Sequence, residues 1–186
     1  MQKTNYFDLL DTLAMLADKS VRTVCTNPNK DDGKAIQTDA SRLLCECEKA
    51  LFSDFLPPLE RHSIAACAHA LCGVIYATEP LYATPPFASF GGRRTEECER
   101  CLVLSEQLRE GVSLLRKLRK PNAIPNLEGF RKDLQCAKDA HGETQKRMHA
   151  GTLPRNASDT VFALSTLRSA LSTAFDTLIE VMLMNL

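Results

Sequence analysis

Apolar residues recur at helical steps along most of the chain, and nine prolines, at 28, 57, 58, 80, 85, 86, 121, 125 and 154, divide that pattern into about six stretches. The first, Thr4 to Cys25, carries Phe7, Leu10, Leu13, Ala17, Val21 and Val24 on one face, with Thr4 as its cap and Asn27-Pro28 as its stop. The second, Asp32 to Phe55, uses Ile36, Ala40, Leu43, Leu44, Cys47 and Leu51. The third starts after Pro58 and uses Ile64, Cys67, Ala68, Leu71, Cys72 and Ile75. PLYATPPFASFGGRR, Pro80 to Arg94, has no period and reads as a long loop of the kind that binds something. Thr95-Glu96-Glu97 opens a fourth helix whose basic end, LLRKLRKP, suits the negative pole of the helix dipole. A fifth runs from Asn126 to about His149. Ser158-Asp159 caps a sixth with the strongest stripe of all: Val161, Leu164, Leu167, Leu171, Phe175, Leu178, Val181 and Met182. Nothing reads as a strand, so the expected class is all-α.

Composition narrows the function classes. Lys plus Arg and Asp plus Glu both number 23 in 186 residues, so no basic field draws the chain to nucleic acid. The start, MQKTNYFDLLDTLAML, is broken by Asp8 and Asp11, and no uninterrupted apolar run approaches a membrane span, which predicts a cytoplasmic protein. Eight cysteines lying within helical patterns predict reduced thiols rather than a disulfide framework. Asn156-Ala157-Ser158 matches a glycosylation acceptor by chance when no secretory signal accompanies it.

Candidate chemistry is sparse. Cys98 and Cys101 have the spacing of half a zinc site or a redox pair at a helix start, but no second pair and no preceding strand accompany them. His62 and His69, seven residues apart, share a helix face and could hold a metal with help from another helix; surface or core histidines are the commoner outcome. Cys67 and Cys72 lie among Ile64, Leu71 and Ile75 and read as core. LLRKLRK could dock an acidic partner, although dipole and solubility account for it, and Arg93-Arg94 follows glycines that form no phosphate-loop pattern. No Glu-x-x-His, Gly-x-Ser-x-Gly or His-Glu-x-x-His occurs, so the chain offers an enzyme no anchor.

LFSDFLPPLERHSIAACAHAL, residues 51 to 71, resembles a segment of PhoU-like proteins of the phosphate-transport-accessory branch, in which a helix ends in a Phe-x-x-Pro turn and an acid-Arg pair begins the next. Phe55, Pro58, Glu60, Arg61 and Ile64 fall on that pattern in order. The resemblance extends in layout over nearly the whole chain, with Tyr6-Phe7-Asp8-Leu9-Leu10 near the start and a long final helix. It implies a six-helix bundle of two three-helix units in pseudo-repeat, about 1–80 and 94–186, joined by the proline-rich stretch 80–94.

The resemblance also implies a non-enzymatic regulatory or accessory role, in contact with a phosphate transporter or its signalling partner at the membrane, without nucleic acid and compatible with a homodimer. Family members carry acids one turn apart that hold metal clusters. Here those places fall on Gln37 and Ser41; on Cys72, Gly73 and Tyr76; on His62 and Ser63; on Gln135 and Asp139; and on Arg168 and Ser172, with Asp176 as another surviving acid. Two isolated carboxylates, Asp139 and Asp176, do not make a multi-metal site, so no cofactor is expected. Two alternatives stay open. One is a metal- or redox-active protein using His62, His69, Cys98 and Cys101; the other is a helical adaptor presenting the loop from Pro80 to Arg94.

Overall fold

The structure, a computed structural model, describes residues 5–26, 28–54, 57–83, 93–118 and 155–185. These residues are mostly helical and contain no strand. The helices are α1 (Tyr6–Thr26), α2 (Lys30–Ser53), α3 (Arg61–Ala77), the one-turn α4 (Glu79–Tyr82), α5 (Arg93–Leu114), which tightens into a 3₁₀ turn at Leu115–Lys117, and α6 (Arg155–Met184). The predicted fifth helix, with Gln135 and Asp139, lies outside the described residues, as do Thr4 and Phe55.

Several boundaries differ from the sequence reading, each for a local reason. Asn5 takes the capping place, its Oδ1 lying 3.5 Å from the Asp8 N–H. Helix α2 begins two residues early because the Asn29 side chain accepts from the Asp31 N–H at 3.1 Å. Pro80 does not start a loop. It occupies the first turn of α4, where a missing N–H costs nothing. Helix α5 begins at Arg93 rather than Thr95, and α6 at Arg155, so Asn156, Ala157 and Ser158 are helical rather than a cap.

Four helices close a ring in the order α1, α5, α6, α3, and α2 lies along the groove between α1 and α3. Polar ties set the directions. Asp18 Oδ1 accepts from Ser105 Oγ at 2.8 Å and Asp11 from Arg116 Nε at 2.9 Å, so α1 and α5 are antiparallel. Ser20 and Thr78 meet at 2.6 Å, which puts the C-terminal ends of α1 and α3 together. Asn185 reaches Ser63 at 3.4 Å, so α6 runs against α3. Leu10, Leu13, Ile64, Leu71, Ile75, Leu167, Leu171 and Phe175 fill the interior, each contributing about 1.5–3 kcal/mol of transfer free energy.

Helix α3 accounts for its own lack of charge. It packs against α1, α2 and α6 at once, which limits the face it leaves to water. The span Arg61–Tyr82 is long and apolar enough to cross a membrane by length and composition, which the run-by-run reading of the sequence did not register. Half of its apolar window is buried inside the bundle.

Gly33 secures the end of this region. A side chain there would lie 2.7 Å from the Tyr82 ring, whose hydroxyl is 3.2 Å from Ser20. Only glycine allows α4 to press this closely on α2.

Candidate functional site

The seam between α2 and α3 is where the resemblance would place acids, so its chemistry bears most directly on function. Helix α2 buries Ile36, Ala40, Leu43 and Cys47 and leaves Ser41 and Glu48 at the edge of the contact. Helix α3 runs the other way, burying Cys67, Leu71 and Cys72 and leaving His69, Gly73 and Tyr76 outside. Ser41 Oγ donates to the Gln37 carbonyl at 2.8 Å, which leaves the Tyr76 hydroxyl to donate to Ser41 Oγ at 2.9 Å. Two of the places that the resemblance gives to acids, Ser41 and Tyr76, are thus joined side chain to side chain by neutral hydroxyls. Cys72 is buried, its sulfur 3.9 Å from the Ala40 carbonyl, and beside Gly73 there is open space. One step along, His69 Nε2 pairs with Glu48 Oε1 at 3.1 Å on the surface.

Beneath the seam lie Cys47, Cys67 and Cys72, all buried. Burial pushes their thiols up, to about 11, 12 and 11, and the Cys47 sulfur acts further on both of the others. With their thiols held protonated, the three pack as small apolar groups. The core reading of Cys67 and Cys72 agrees with their placement.

The motif residues gather at the turn from α2 to α3. Tyr6 donates its hydroxyl to Asp54 at 2.8 Å, and Arg61 donates to the Asp54 backbone carbonyl. Burial and that carboxylate hold the Tyr6 hydroxyl well above the usual tyrosine range. Pro58 is half-buried and Ile64 wholly buried, while Glu60 occupies the N-cap of α3 without a side-chain capping bond. The acid-Arg pair therefore splits its work: Arg61 ties the turn and Glu60 faces solvent.

The other candidates are dispersed. His62 is exposed in the first turn of α3, two turns from His69; Cys98 and Cys101 are buried in α5; Asp176 is exposed on α6. Arg168, at a place the resemblance gives to an acid, is 2% exposed, and a fixed guanidinium there opposes a cation. Among the described residues no group of three or more His, Cys, Asp or Glu is arranged to hold a metal ion.

Sequence reasoning passed over the α1–α5 seam. Asp18 is 6% exposed and accepts from Ser105 and from Arg22 Nε at 2.9 Å, while Arg22 reaches Glu106 at 3.5 Å. At the other end Arg116 bridges Asp8 and Asp11 and lies 5.9 Å from the Phe7 ring centroid. Arg116, from the basic cluster expected to complement the helix dipole, thus anchors α5 to α1. The available signal was an acid at Asp18 flanked by Ala14, Ala17 and Val21, where the apolar stripe is widest. Comparison with protein-family models, with curated proteins and with solved structures finds no match for this chain.

Proposed function

We propose that the chain is a non-enzymatic, PhoU-like regulatory or accessory protein of the cytoplasm, acting on phosphate uptake through a phosphate transporter or its signalling partner. The observation that carries this reading is the reversal between α2 and α3. There Pro58, Glu60, Arg61 and Ile64 keep the order of the family segment, and Tyr6, Asp54 and Arg61 tie the turn that this order builds. In this reading α1, α2 and α3, which run down, back and down again, make up one three-helix unit, and α5 and α6 belong to the second. On the same reading, the α2–α3 seam has exchanged metal ligands for the neutral Tyr76–Ser41 pair, so regulation proceeds by protein contact. The contact is peripheral to the membrane and involves no nucleic acid. A homodimer is compatible with it.

The test has two arms. Elemental analysis of protein purified without chelator is expected to find transition metal well below one equivalent, and phosphate uptake by the native host is expected to change when the gene is deleted. A stoichiometric metal lost on His62→Ala and Cys72→Ala would replace this reading with a metal site on α3. Unchanged uptake and unchanged phosphate-starvation signalling would remove the phosphate role.

A further inference from the structure

We draw no further inference here: the strongest candidate, the outer face of α3 at Ala66, Ala70, Gly73 and Ala77, is a stripe of small residues for which nothing in the structure shows what covers it.

Discussion

Two helix seams in this protein solve the same packing problem with opposite chemistry. Between α1 and α5, charge is taken inside: Asp18 is buried and satisfied by Ser105 and Arg22, and Arg116 closes the far end on Asp8 and Asp11. Between α2 and α3, uncharged groups do the filling: aliphatic side chains and thiols occupy the interior, hydroxyls line the edge, and the contact of His69 with Glu48 stays in water. A buried carboxylate tolerates few alternative registers, because any slip leaves it unpaired in a low dielectric. A seam of aliphatic side chains and cysteines holds by volume and shape instead. The first seam thus specifies how two parts of the chain meet, and the second supplies bulk cohesion.

That contrast can be broken most forcefully at Ile64. Ile64→Ala should destabilise by about 2–5 kcal/mol in urea titration, since the residue is wholly buried and serves the volume-filled side. Asp18→Ala should cost about 1.5–3 kcal/mol by removing an ionised acceptor from Ser105 and Arg22, with Asp18→Asn losing less because it still accepts from Ser105. Equal stability of Asp18→Ala and the parent would mean that charge does not set this seam.

Alkaline titration sharpens the other side. An unfolded thiol ionises near 9, whereas folding holds Cys67 protonated up to about 12. Above pH 9 the unfolded chain therefore binds fewer protons than the folded one. Stability present below that pH should fall as pH rises towards 12. Denaturation midpoints measured on either side of pH 9 should show the decline, and Cys67→Ala should flatten it; an unchanged slope would place the thiols in water. The smallest effect belongs to His69→Ala, under about 1 kcal/mol, because both partners are exposed. A cost matching that of Asp18→Ala would erase the distinction between the two seams.

Much of the fold was legible because helix periodicity and proline placement are local. The stripes at Leu10, Leu13, Ala17, Val21 and at Leu167, Leu171, Phe175, Leu178 are buried as read. The misread ends at Pro80, Thr95 and Ser158 are helix boundaries, which composition weighs poorly. The bareness of α3 was read as an emptied metal face. The fold supplies a direct reason as well, since a helix with three neighbours has little surface to charge.

The sequence by itself determined the helical class, the segments that would be buried and the thiol character of the core, because each follows from residue type at a fixed spacing. It also held the ordered residues at 55 to 64 on which the family resemblance rests. Only the tertiary structure decided that Arg116 reaches back to Asp8 and Asp11, that Asp18 lies inside rather than outside, and that Ser41 and Tyr76 satisfy each other. Those pairings join residues 35 to 108 positions apart. Which distant groups meet is set by the closing of the ring of helices, and no local pattern carries that information.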